Sequence, residues 1–158
     1  MVRSAAERVS SRPMQSTSTD SNALAHATCR VRLEEAPGTS GGNQFVVSVP
    51  GTEYVLTLAS GGRTSTPVGK RVAGVISGRA QKFHRATAGG EFIEPVEGHP
   101  RIVQGRIRAV DAAANRVLLQ AVIPMWVTLE AGQSARDFSA GDFVNFYMES
   151  GVVFAPDA

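Results

Sequence analysis

Residues 101–130 read RIVQGRIRAVDAAANRVLLQAVIPMWVTLE. From Val117 onward an apolar side chain recurs at every second place: Val117, Leu119, Ala121, Ile123, Met125, Val127 and Leu129. This is the period of a β-strand, whose successive side chains point to opposite faces. The 3.6-residue period of a helix does not appear in this stretch or elsewhere beyond the N-terminal segment. The odd-numbered residues are therefore expected to face a core. The other face carries Leu118, Gln120, Val122, Pro124, Trp126 and Thr128. Upstream, Val103, Gly105, Ile107 and Ala109 are expected to point inward, with Gln104, Arg106 and Arg108 outward. Ala112 to Asn115 supply the turn of this hairpin. Its outer face is mixed: two arginines, two glutamines, aliphatic residues and the chain's only tryptophan.

Outward from this hairpin the text stays β-like. NQFVVSVPGTEYVLTLASGG reads as two short strands around Pro50-Gly51, a turn pair. KRVAGVISGRAQKFHRATAGGEFIEPV reads as a second pair, around Gly89-Gly90, and GDFVNFYMESGVVFAP as another, around Ser150-Gly151. A short turn or helix fits EAGQSARDFSAGD. Strands at this spacing with turn signals between them indicate an all-β barrel or sandwich. The expected fold is a small OB-like or SH3-like antiparallel barrel. A short echo, Val-x-Gly-x-Ile at Val72 and again at Val103, supports two similar strands. Gly74 and Gly105 would let them coil sharply.

The first 28 residues are rich in Ser, Thr and Ala and poor in large apolar groups. They read as a disordered tail, because they cannot bury enough surface to offset the entropy of ordering. Residues 29–158 are then one domain. The tail lacks the apolar run of a secretory signal, and its early arginines and serines only loosely suit an organellar transit peptide. No stretch approaches the ~18 consecutive apolar residues of a membrane helix. Cys29 is the only cysteine, so no internal disulfide can form, which suits a reducing, cytoplasmic compartment.

The net charge of +2 conceals an asymmetry. Residues 61–108 carry nine basic groups against three glutamates, a net of +6, and residues 109–158 carry two against six, a net of −4. The remainder balances at five against five. A basic middle suits an anionic partner, and a basic segment beside an acidic one also suits self-association.

Motifs for chemistry are scarce. In GGRTSTPVGKR, Thr64 and Arg71 stand where a phosphate loop needs Gly and Ser or Thr, and Val72 opens a strand where that loop needs a helix. There is no Gly-x-Ser-x-Gly elbow. Cys29 has only Arg30 and Arg32 nearby to activate it, which makes a poor nucleophile. GGEFIEPVEGHPR places Glu91, Glu94, Glu97 and His99 close together, with His84 reachable across the expected hairpin. Their spacing matches no metal motif. Glutamates balancing Arg79, Lys82, Arg85 and Arg101 through cross-strand pairs are the better reading. No cofactor motif is present.

FSAGDFVNF, with its Phe-x-x-Gly-Asp-x-Val turn, looks like the turn leading into a strand in OB-like, SH3-like or PilZ-like barrels. The arginine pair and polar motif by which PilZ domains hold a cyclic dinucleotide are not matched, so that function is not carried over. The stretch from Arg71 to Pro156 resembles uncharacterised bacterial small β-barrel proteins with a GG-x-F-x-E-P hairpin, a V-x-G strand and a terminal F-x-x-G-D-x-V turn. The resemblance covers about half the chain and implies a barrel fold but no activity.

The expected function is therefore a non-enzymatic binding module for nucleic acid or another anionic partner. The expected ligand-binding residues are Arg79, Arg85, Arg106, Arg108, Gln120 and Trp126, since single-strand binders combine a basic groove with stacking aromatics. The alternative is a structural or self-assembling domain. In that reading outward Leu118, Val122 and Trp126 form an apolar patch that needs a cover: a partner, a second subunit or the chain's own N-terminal hairpin.

Overall fold

The computed structural model describes residues 27–38 and 42–157. Its strands are β1 (Thr28–Glu35), β2 (Gln44–Ser48), β3 (Val55–Ser60), β4 (Arg71–Arg85), β5 (Phe92–Glu94), β6 (Glu97–Gly98), β7 (Ile102–Asp111), β8 (Arg116–Ala121), β9 (Ile123–Leu129), β10 (Phe143–Met148) and β11 (Val153–Pro156). A 3₁₀ turn, Ala135–Asp137, precedes β10. The protein is all-β, as its period-2 patterning predicts. The expected tail lies outside the described residues except for its last two: Ala27 is buried and Thr28 opens β1.

The sheet is mixed, not purely antiparallel. Two circuits of paired strands share β4. One runs β1–β2–β3–β11–β4 and back to β1. The other runs β4–β10–β7–β8–β9 and back to β4. Each has five strands, and an odd number of strands cannot alternate in direction all the way round. One pair in each must be parallel: β3–β11 in the first, β4–β9 in the second. Strand β4 serves both because it is long. Its Arg71–Val75 portion pairs with β1, and its Ser77–Ala80 portion with β9. Along its other edge lie β11 and then β10.

The hairpins at Pro50-Gly51 and at Ala112–Asn115 form as expected. Two others do not. β5 pairs with β7 and not with β4, so Gly89-Gly90 link strands that are not neighbours. β10 and β11 both run antiparallel along β4, so Ser150-Gly151 interrupt one long strand and reverse nothing. A further reversal is new. The chain folds back at Val122, whose φ is +67°, and β8 pairs with β9 with Ala121 opposite Ile123 and Val117 opposite Val127. Fold-back about one residue pairs odd with odd, so the two-residue period passes through the turn unbroken. All seven odd residues from Val117 to Leu129 are buried.

The core joins Phe45 edge-on to Phe154 (5.3 Å) with Phe83 stacked on Phe146 (5.2 Å). Each such ring contributes ~1.5–3 kcal/mol by leaving water. Gly74 and Gly105 are needed for close approach. A Cβ on Gly74 would lie 2.6 Å from the Phe154 ring, and one on Gly105 would lie 2.3 Å from the Gln120 carbonyl oxygen.

Candidate functional site

The six residues expected to bind a ligand do not line one groove. Arg106 stands directly opposite Gln120 on the β7–β8 pair. Its guanidinium donates to the Gly141 carbonyl (2.8 Å) and lies over the Phe143 ring. Arg85 reaches the same turn from β4, donating to Asp137 O (2.6 Å) and Asp142 Oδ2 (3.1 Å). Both arginines thus brace the turn ahead of β10. Arg108 is exposed at the irregularity between Ile107 and Ala109. Arg79 lies further along β4, 3.8 Å from Glu149. Trp126 is only 6% exposed, in a small apolar cluster with Ala27 and Leu118, against which Val75 and Ala109 pack. The Arg116 guanidinium lies 3.9 Å from its ring centroid. The tryptophan offers no open face for stacking. Of the patch that suggested a docking surface, Leu118 and Trp126 are covered by the chain's own Ala27 and Val75, and Val122 packs against the main core.

Within the Glu91–His99 stretch one carboxylate has a structural partner. The Glu91 carboxylate accepts from the Val122 amide (2.8 Å) and so caps the β8–β9 fold-back. Among the described residues no ion pair joins Glu91, Glu94 or Glu97 to an arginine, which corrects the expected charge pairing. Of the cations expected to pair with them, Arg79 instead meets Glu149 and Arg85 meets Asp142, because β4 lies beside β10 and those two acids flank it. No group of three His, Cys, Asp or Glu side chains among the described residues is placed to hold a metal ion. Burial pushes the Cys29 thiol up to about 11.

A different surface gathers binding features. On the outer face of β5, β7, β10 and β4, one row reads Glu94, Ile102, Tyr147, Gln81 across the four strands. The next row contains Phe92, Gln104, Asn145 and His84. Gln104, 6% exposed, donates to the carbonyls of Ala88 (3.2 Å) and Gly90 (2.9 Å) and accepts from Asn145 (2.9 Å). These bonds clamp the β4–β5 connection over that row. Beside it a cleft of about 540 Å³ stays open, lined by Glu94, Pro95, Arg101, Ile102, Tyr147 and Met148. Tyr147 is 49% exposed, among the few large apolar side chains left in water, and the Lys82 ammonium lies 5.7 Å from its ring centroid. The cleft thus holds the exposed ring beside Ile102, with Arg101 and Glu94 at its wall, while Met148 turns its side chain into the core beneath.

Tyr147 and Arg101 were absent from the expected set. The signal for Tyr147 was present: Val144, Phe146 and Met148 point inward by the two-residue rule, so Asn145 and Tyr147 must point outward. The Lys82 ammonium beside its ring and the shared cleft with Arg101 had no such signal, since those residues come from β4 and from the segment ahead of β7. Comparison of the chain with protein-family models, curated proteins and solved structures finds no match.

Proposed function

We propose that the protein is a non-enzymatic binding module for single-stranded nucleic acid, with the Tyr147 cleft as its ligand-facing surface. The observation that carries this is a half-exposed aromatic ring in a cleft of about 540 Å³ whose wall includes Arg101 and Glu94, with the Lys82 ammonium 5.7 Å from the ring centroid. A flat base stacks on such a ring, worth about 1–3 kcal/mol per base, while neighbouring cations hold the phosphates. The cleft volume lies in the usual range for ligand sites, about 300–1,000 Å³. The β4–β10–β7–β8–β9 circuit is read as a small OB-like barrel, an architecture suited to binding single strands on an outer sheet face. The +6 excess of residues 61–108 supplies the long-range attraction.

Fluorescence anisotropy of a labelled 12-nucleotide single strand tests this. Binding at 50 mM salt should weaken steeply by 300 mM, and Tyr147→Ala should weaken it about tenfold or more. Absence of binding at 50 mM salt removes the proposal. In the alternative reading, a self-assembling structural domain, light scattering would show oligomers independent of nucleic acid.

A further inference from the structure

The two strand circuits repeat each other in detail. In the first, Gly69 donates to Leu33 O (2.7 Å) and Leu33 donates to Lys70 O (2.9 Å). In the second, Gly141 donates to Ile107 O (2.7 Å) and Ile107 donates to Asp142 O (2.9 Å). Both glycines have positive φ, +93° and +97°. Arg32 Nε donates to the Gly69 carbonyl, and the Arg106 guanidinium to that of Gly141. The β1–β2 register slips between Leu33 and Glu35, the β7–β8 register between Ile107 and Ala109. Thus β1, β2, β3 and the first part of β4 correspond to β7, β8, β9 and β10. The second part of β4 corresponds to β11: it pairs parallel with β9 as β11 does with β3. The Val-x-Gly-x-Ile echo of β4 and β7 does not mark this relation; Val72 corresponds to Val144.

These equivalences relate two grooves. Thr28 lies opposite Val75 as Ile102 lies opposite Tyr147, so Val75 and the preceding Ala27 correspond to Tyr147 and Arg101. On one side Ala27 and Val75 meet Trp126 and Leu118 in a closed apolar cluster. On the other, Arg101 and Tyr147 line the open cleft. We infer that the chain is a fused duplicate of one β-unit whose copies have exchanged the ends of their long strands, and in which one of two equivalent grooves is plugged by Trp126 while the other stays open at Tyr147 as the ligand site. The last part rests on the function proposed above. The partner each unit fits is a second copy of itself: the end of β4 completes the second circuit, and β11 completes the first.

One experiment separates the two parts. A protease sequence inserted between Thr87 and Ala88 in the full chain lets it be cut between the units. The cut pieces should co-elute as a 1:1 complex, with an unfolding midpoint that rises with protein concentration, because folding has become bimolecular. Pieces that part without denaturant overturn the exchanged duplicate whatever the binding result. On the uncut chain, Tyr147→Ala should weaken the 12-nucleotide probe about tenfold or more, and Trp126→Phe should leave it within twofold. Binding lost in Trp126→Phe but kept in Tyr147→Ala overturns the groove assignment. No binding by the wild type, with the cut pieces still paired, overturns the nucleic-acid reading and leaves the duplicate standing. Should Tyr147→Ala fail to fold, Tyr147→Leu removes the stacking ring while keeping bulk, and the same loss is expected.

Discussion

The guanidinium of Arg116 lies 3.9 Å from the ring centroid of Trp126 and is held there by Asp111 at 2.9 Å. The pair sits on the outer face of β8 and β9, where an exposed tryptophan would invite a ligand. Here the ring is instead covered by Ala27, Leu118 and the arginine. Trp126→Ala should cost about 3–5 kcal/mol, the usual range for deleting a buried tryptophan. Arg116→Ala should cost about 0.5–1 kcal/mol, since a cation over a ring at a partly exposed site is worth little more. Urea unfolding followed by circular dichroism measures both. Equal costs for the two would show that the ring is not packed as described.

Asp111 takes part in the same arrangement. Its hydrogen bond from Arg116 holds the carboxyl below its ordinary value of 3.8. A lowered folded pKa gives stability that is present above the unfolded pKa and lost as pH falls through the folded one. Asp111→Asn should therefore flatten the acid limb of the stability profile below about pH 4. An unchanged limb in that variant would assign acid sensitivity to other carboxylates.

Cys29 behaves in the opposite sense. Its thiol is pushed up to about 11 by burial, from an ordinary value of 9.0. The folded state holds the proton more tightly, so the contribution is full below pH 9 and is lost as pH rises toward 11. At pH 8 the thiol should react with a disulfide reagent only as fast as the protein unfolds. Prompt labelling of the native protein would contradict its burial.

Gln133 substitutes for a missing strand. Its amide donates to Phe83 O (2.6 Å) and accepts from Phe83 N (3.0 Å), where β4 has left β9. Glu130 accepts from the neighbouring Lys82 amide (2.6 Å), whose residue has φ +55°. Gln133→Ala would leave two partly buried backbone groups without partners. A loss of about 1–3 kcal/mol is expected in chemical unfolding. Faster amide exchange at Phe83 than at Ile76 should accompany it.

Gly89 is held against Gln104. A Cβ there would lie 2.8 Å from Gln104 Nε2, and the residue has φ +97°. Gly89→Ala should cost at least about 1–2 kcal/mol from the backbone conformation alone. The control is Gly90→Ala, where nothing lies within 4 Å of the added Cβ. Similar losses at both positions would argue that the connection is not clamped.

The two-residue period of the sequence by itself determined the facing of side chains along β8 and β9. It did not reveal β1, and the irregularity in β7 turns Ala109, expected inward, onto the Trp126 cluster. Val117 to Leu129 were expected to alternate inward, and every odd residue is buried. The Pro50-Gly51 and Ala112–Asn115 turns were legible for the same local reason: turn chemistry resides in adjacent residues. What only the tertiary structure decided is which strand lies beside which. Alternation says that Trp126 points away from the core; it does not say that Ala27 and Val75 cover it. It says that Tyr147 points outward, but not that Lys82 lies beside its ring or that Arg101 shares its cleft. Period 2 is insensitive to a fold-back about a single residue, so the reversal at Val122 leaves no trace in the pattern. A strand's own residues encode its two faces, whereas its neighbours are set by hydrogen-bonding edges that look alike in every strand. The exchange of β4 and β11 between two five-strand circuits is settled by those edges, and with it the opening of one groove and the closing of the other.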